Sequence, residues 1–416
     1  MGPMKNNAVK GKLLPVLILI LSAGLVLRVC LRLFTFPYPE VMKEWAALLY
    51  RDGFASFYSH EGVQWPYPPL YLYVLWLMQL LTELFSAAKD SGFHELIIQL
   101  PPILCDIAAA ALLWREASRH ISPKAGIIAA ALWCFNPAVI HNSSVWGQTD
   151  ACFCLFIALM CVAFAEQKLW KGFLYFGVSL MLKQQSLSFA PLVLIALADR
   201  CRREASLRAL AKPILQGLAV IAGMVVISLP FGLPEMLSQY LSVQSGMSGA
   251  SIDAFNFWTL IGRNWAPMDS TFLHVSVRMW GNAAIVGITL LSFLLAYLQT
   301  KKSRPDYPLL AAFLILNVFC FGTCMHERYM FAGPLLLLLA WSFRPKKSTM
   351  LFFLAFSLLQ FANTFVIYGY NLGFFNDGFP KESVSLALSF CVVAATLLLD
   401  LYLLLRNLPR KKKTDG

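Results

Sequence analysis

The chain has 416 residues, 58% of them hydrophobic and only 13% charged, with a mean hydropathy of +0.64. Soluble domains carry about 25% charged residues, so the composition excludes a soluble globular protein and implies a polytopic membrane protein. The formal net charge of +12 does not imply a nucleic-acid partner, because the basic residues lie in short loops between apolar runs, where they set topology.

Leu13 to Leu33 is the first run long enough to span a bilayer. Lys5, Lys10 and Lys12 precede it, and its length and its Arg28 and Arg32 mark a retained span rather than a cleavable signal peptide. Residues 1–12 then read as a cytoplasmic tail and 13–406 as one transmembrane domain. Residues 34–94 form a first outer loop with interfacial helices, among them a helix expected over Val41–Tyr50. The loop mixes Glu40, Glu44, Asp52 and Glu61 with aromatics and closes on Tyr67-Pro68-Pro69-Leu70-Tyr71. A turn between two spans needs only a few residues, and a long, structured loop of this kind carries function.

Further apolar runs lie near 67–87, 95–114, 124–141, 150–165, 170–199, 210–231, 277–299, 307–325, 329–343, 349–368 and 383–405. Of the 34 basic residues, 24 fall in loops that the positive-inside rule assigns to the cytoplasm. Parity then requires 170–199 to be two short spans with a polar tip at Lys183–Ser186. It also requires 67–87 to lie on, or dip into, the outer surface. The expectation is an all-α fold of about twelve spans, with a second long outer loop at 232–276 and a basic cytoplasmic tail at 407–416. The ten Cys sit mostly inside apolar runs and give neither a disulfide framework nor metal-ligand spacing.

With sides assigned, the polar motifs converge on the outer face: the first loop, Asn142–Asp150 (NSSVWGQTD), Lys183–Ser186, Phe255–Trp265 (FNFWTLIGRNW) and Cys324–Tyr329 (CMHERY). Cations are scarce there, so Lys183, Arg263 and Arg328 mark a site for an anion held at the membrane surface. Arg suits a phosphate through its bidentate fork and Lys as a point charge; Gln184 and His326 stand beside them. The other reading pairs Arg328 with Glu327, Arg263 with Asp253 or Asp269, and Lys183 with a helix-end carbonyl. Tyr67, Trp146, Gln148, Asn256 and Trp258 are candidates for contacting a sugar. Glu40, Glu44 and Asp150 are candidates for a general base toward an acceptor hydroxyl. No GxGxxG, P-loop, HExxH or GxSxG motif is present. No cofactor is required, and a divalent cation has no motif.

The ordered set YPPLYLY, NPAVIHNSSVWGQTDA, LKQQSLSFAP, FNFWTLIGRNW and MHERYMF resembles bacterial multispanning mannosyltransferase-like proteins over about residues 13–370. These are GT-C fold enzymes related to the GPI-anchor mannosyltransferases and to the glucosyltransferases that extend dolichol-linked oligosaccharides. The resemblance implies a plasma-membrane glycosyltransferase with an extracytoplasmic active face. It would take a hexose, mannose favoured, from a polyprenyl-phosphate-sugar lipid to a glycan, lipid or protein acceptor by an inverting displacement. Lys183 and Arg328 match the basic residues that stabilise the leaving phosphate. The family's loop acids are replaced here by Tyr38 and Pro66, which makes Glu40 the nearest substitute base, with Glu44 and Asp150 in reserve. Two other classes remain open, a lipid-linked-glycan transporter and an inactive polyprenyl-lipid-binding subunit.

Overall fold

In lipid every backbone polar group must be satisfied within its own segment, so apolar runs become helices. The computed structural model describes residues 3–34, 40–61, 63, 67–246, 249–375 and 378–408 and is 78% helical. In chain order the helices are α1 (Pro3–Phe34), α2 (Glu40–Asp52), α3 (Pro69–Leu84), α4 (Gly92–His120), α5 (Pro123–Cys134) and α6 (Pro137–Ile140). Then come α7 (Asp150–Ala165), α8 (Leu169–Leu182), α9 (Ala190–Glu204), α10 (Ala211–Ser228), α11 (Leu233–Gly246) and α12 (Phe257–Leu260). The last five are α13 (Val277–Thr300), α14 (Tyr307–Phe321), α15 (Ala332–Phe343), α16 (Lys347–Asn371) and α17 (Lys381–Asn407). Extended structure is confined to two-residue pairings, one of which sets Ser251–Ile252 parallel to Met325–His326.

This is an all-α polytopic membrane fold. Among the described residues six segments are long and apolar enough to cross a bilayer: Gly11–Leu33, Gly92–His120, Leu207–Phe231, Val277–Thr300, Lys347–Asn371 and Lys381–Asn407. A seventh crossing arises if Pro123–Cys134 and Pro137–Val145, bent by 45°, are one broken span. Five shorter apolar helices, α3, α7, α8, α14 and α15, accompany them. Sixteen residues of helix rise about 24 Å against a hydrocarbon core of about 30 Å. Two of the shorter helices fill the interior instead: α14 and α15 are buried almost throughout, and a helix that is apolar all round belongs inside.

The loops sort to two ends. At one end Glu166 pairs with Arg119 and Lys168, His120 stacks on Phe343 at 4.5 Å, and Arg344 reaches Ser303. There Lys302 also donates to the Arg406 and Leu408 carbonyls, at 3.0 and 2.8 Å. At the other end Tyr67, Asp150, Lys183 and Tyr329 meet. The stretch 170–199 does divide as parity requires. α8 climbs from the basic end to Lys183, a one-turn 3₁₀ segment at Gln184–Phe189 turns the chain, and α9 descends to Asp199 and Arg203. α3 starts and finishes at the polar end. Tyr67 precedes it beside Thr149, and its last turn lines one cleft with the start of α4.

The first span is fastened to α4 by charge. Arg28 and Arg32, one turn apart on α1, pair with Asp106 at 3.2 Å and Glu95 at 2.8 Å on α4. Arg28 is fully buried, and its Nη1 donates to the Cys134 carbonyl at 2.8 Å and the Gly24 carbonyl at 3.1 Å. Breaking a buried pair leaves an uncompensated charge and costs about 3–5 kcal/mol. Arg28→Met alone should therefore destabilise the protein by about that much, and adding Asp106→Leu should restore most of it. Thermal unfolding in detergent micelles measures both. A single variant that melts with the wild type would show that the pair does not hold α1 to α4.

Candidate active site

The polar end is built by three interruptions of helices. Between α6 and α7 the chain widens into a π-turn over His141–Val145, and Gly147, at φ +80°, lets it reverse so that Asp150 opens α7. Such widened turns are frequent at functional sites. α8 ends because Lys183 adopts an extended conformation; its N–H still donates to the Ser179 carbonyl at 2.9 Å, and the Ser179 and Ser186 hydroxyls meet at 2.7 Å. The third is the segment between α14 and α15. The pairing of Ser251–Ile252 with Met325–His326 ties it to the second long loop and presents Glu327, Arg328 and Tyr329.

These interruptions bring four charges together, with Asp150, Lys183 and Glu327 buried and Arg328 half-buried. Lys183 forms an ion pair with Asp150, Arg328 approaches the same carboxylate at 4.0 Å, and Arg328 bonds Glu327 at 2.5 Å. Aromatic rings collar the cations. Lys183 lies 5.2 Å from the Tyr329 ring, 5.7 Å from Phe153 and 5.9 Å from Tyr67, while Arg328 is 5.5 Å from Tyr329. Contacts at this range are attractive, more so where water is excluded. Burial works against the Lys183 ammonium, but Asp150 together with Tyr67 and Tyr329 holds the pKa above its ordinary value. Burial likewise opposes the Glu327 carboxylate, yet Arg328 and His326 hold its pKa at about 2. The cluster is a neutral quartet whose cations stay charged although hardly any water reaches them.

The other candidates divide around it. Tyr67 belongs to the cluster, with its hydroxyl 3.3 Å from the Thr149 hydroxyl. His326 touches it through Glu327 at 3.7 Å, and burial lowers its pKa. Gln184 is exposed beside Lys183 and contacts Tyr240, while its neighbour Gln185 donates to the Tyr329 carbonyl at 2.8 Å. Gln148 is buried in the turn before Asp150, its N–H on the Asn142 carbonyl; Trp146 packs on Tyr368 at 5.4 Å. Asn256 and Trp258 spend their polar groups on architecture: Asn256 caps α12 and donates to the Phe319 carbonyl, and the Trp258 indole donates to the Phe321 carbonyl.

Arg263 folds back on its own loop, donating to the Thr271 carbonyl at 2.9 Å rather than pairing with Asp253 or Asp269. Those acids pair with Lys381 and Arg278. Glu40 and Glu44 sit one turn apart on α2, both exposed, and line a separate cleft of about 610 Å³. Tyr38 and Pro66 lie outside the described residues. Tyr329, which bridges the two cations, and Asn142, 3.4 Å from Asp150, were not singled out from the sequence. Only the adjacency of Tyr329 to Arg328 could have pointed to the first. Among the described residues no three His, Cys, Asp or Glu side chains converge to hold a metal ion.

Residues 67–231 match the family described as dolichyl-phosphate-mannose-protein mannosyltransferase. The match covers 165 of the 416 residues. The matched stretch contains Tyr67, Asp150 and Lys183 but neither Glu40 nor Arg328. No curated protein matches the chain.

The depressed Glu327 pKa links the protein's stability to pH. A carboxylate whose folded pKa, about 2, lies below its ordinary 4.5 contributes stability that is present above the ordinary value and is lost as pH falls toward the folded one. Glu327→Gln should lower the melting temperature at pH 7 and flatten its decline between about pH 4.5 and 2. Unfolding curves across that range decide; an unchanged acid slope in the variant would assign the decline to other groups.

Proposed function

We propose that this transferase moves a hexose, mannose favoured, from a polyprenyl-phosphate-sugar donor to an extracytoplasmic acceptor, with inversion at the anomeric carbon. The observation that carries the reading is the two cations, Lys183 buried and Arg328 half-buried, that share the Asp150 carboxylate inside an aromatic collar; an apolar groove lies nearby. The groove, about 590 Å³, runs between α3, α8 and α10 and is lined by Leu70, Trp170, Leu174, Met181, Val220 and Met224. Met181 lies two residues before Lys183, and Leu70 one turn after Tyr67. A lipid phosphate at the cations would thus have room for the first isoprenoid units of its tail beside it. The quartet is neutral when empty, so an arriving phosphodiester replaces a carboxylate as partner, and Lys183 is the cation with the flexible reach to make that exchange.

In the reaction the acceptor oxygen bonds the anomeric carbon as the bond from that carbon to phosphate breaks. The electron pair leaves with the polyprenyl phosphate, where Lys183 and Arg328 stabilise it. The acceptor's proton goes to a base on the opposite face of the sugar. Asp150 is on the phosphate side, as counter-ion to Lys183. Glu40, with Glu44 behind it, lines the cleft beyond Trp45, whose ring packs edge-on against Tyr67 at 5.9 Å, and this opposite placement suits inversion. The basic loops of the other end favour the cytoplasm, which would put the reaction on the outer face of the plasma membrane.

Losing one charge-assisted contact typically costs about 1.5–3 kcal/mol, or roughly ten- to hundredfold in affinity. Lys183→Ala and Arg328→Ala should weaken polyprenyl-phosphate binding by that factor, measured by thermophoresis on protein of wild-type elution profile. Ala219→Trp, which fills the groove from α10, should raise the KM for long-chain donors and spare short-chain ones. Equal loss for both chain lengths would place the tail elsewhere.

A further inference from the structure

The cleft bounded by α2, the end of α3 and the start of α4 is polar, in contrast to the lipid-facing groove, and it holds two buried side chains with unused hydrogen-bonding capacity. His94 is 4% exposed and Gln79 8%. The His94 Nδ1 accepts the Asp90 N–H at 3.1 Å, which leaves the proton of the neutral ring on Nε2. Among the described residues that Nε2 has no partner. Gln79 donates through Nε2 to Glu83 at 2.9 Å, and its Oε1 likewise has no partner. Leaving a buried donor or acceptor unmet costs about 1–3 kcal/mol each, so a cleft that presents one of each suits a ligand that supplies both.

We propose that this cleft binds the acceptor, and that the acceptor is a hydroxyl-rich glycan. The inference rests on the transferase reading above and adds the acceptor class to it. A hydroxyl accepts from the His94 N–H and donates to the Gln79 carbonyl, and one group can serve both. The Glu40, Glu44 and Glu83 carboxylates on the walls accept further hydroxyl protons. Of the basic residues that line it, Lys43 is engaged with Asp90 at 2.6 Å and Glu95 at 3.7 Å and Arg51 with Asp52 at 2.7 Å, and Lys89 stands at the wall beside Asp90. A lipid acceptor would call for apolar walls, and a serine or threonine of a peptide offers one hydroxyl where the cleft addresses several. About 610 Å³ lies in the range of small-molecule sites. Because Glu40 lines the same cleft, the sugar hydroxyl bound there lies on the side of the proposed base.

Full-length protein in nanodiscs, titrated with mannobiose and followed by saturation-transfer NMR, tests the assignment. The wild type binds mannobiose, and Gln79→Leu and His94→Phe each weaken it about tenfold, while the affinity for polyprenyl phosphate stays at the wild-type value. If one variant fails to fold, the other decides. A wild type that ignores mannobiose, or variants that bind it unchanged, overturn the proposal, as does a wild type that glycosylates a serine peptide in preference to mannobiose. A wild type that binds mannobiose through Gln79 and His94 but takes no polyprenyl phosphate would sink the donor reading and leave the glycan cleft standing.

Discussion

A charge inside a membrane protein must meet its counter-charge inside the protein, because lipid offers none and the cost of burying it alone runs to several kcal/mol. That constraint organises this structure. Arg28 with Asp106 and Arg32 with Glu95 fasten the first helix to the bundle. Lys183, Asp150, Arg328 and Glu327 close a second, neutral set at the polar end. In the first set Arg28 also donates to the Gly24 and Cys134 carbonyls, and the set reads as fastening. The second is ringed by aromatics and presented where helices are interrupted.

Interrupted helices are expensive in lipid unless the freed backbone groups are re-satisfied. Here Ser179, Ser186, Gln185 and the short pairing of Met325–His326 with Ser251–Ile252 do so. Each break delivers a charged side chain to the same place. Trp45 and Tyr67 then join this cluster to the first loop, so that the cations and the α2 carboxylates flank an aromatic pair. A displacement with inversion needs that kind of division, with the leaving group and the base on opposite faces of the sugar.

Much of this was legible in the sequence for physical reasons. Basic loops and run lengths pointed to the two ends and to the paired helices α8 and α9 around Lys183, because topology follows charge and hydropathy. The pairing of Arg328 with Glu327 was legible as a neighbour contact. The partner of Lys183 was not, since Asp150 is 33 residues away and only packing joins them. Asn256, Trp258 and Arg263 looked like ligand contacts because polar and aromatic residues in an outer loop resemble a binding surface. In the structure they hold the loop itself together. His94 and Gln79 carry no sequence signal, because being unpartnered is a property of the fold.

The central claim is that the Lys183–Arg328 pair receives the donor phosphate. A cryo-EM structure of the protein with polyprenyl phosphate tests it most directly. The account predicts the phosphate within hydrogen-bond reach, about 3 Å, of the Lys183 ammonium and the Arg328 guanidinium, with the Lys183–Asp150 pair opened and the tail entering the groove beside Met181. A phosphate seated at the basic end, against Lys301, Lys302 and Arg304, with Lys183 still on Asp150, would contradict it.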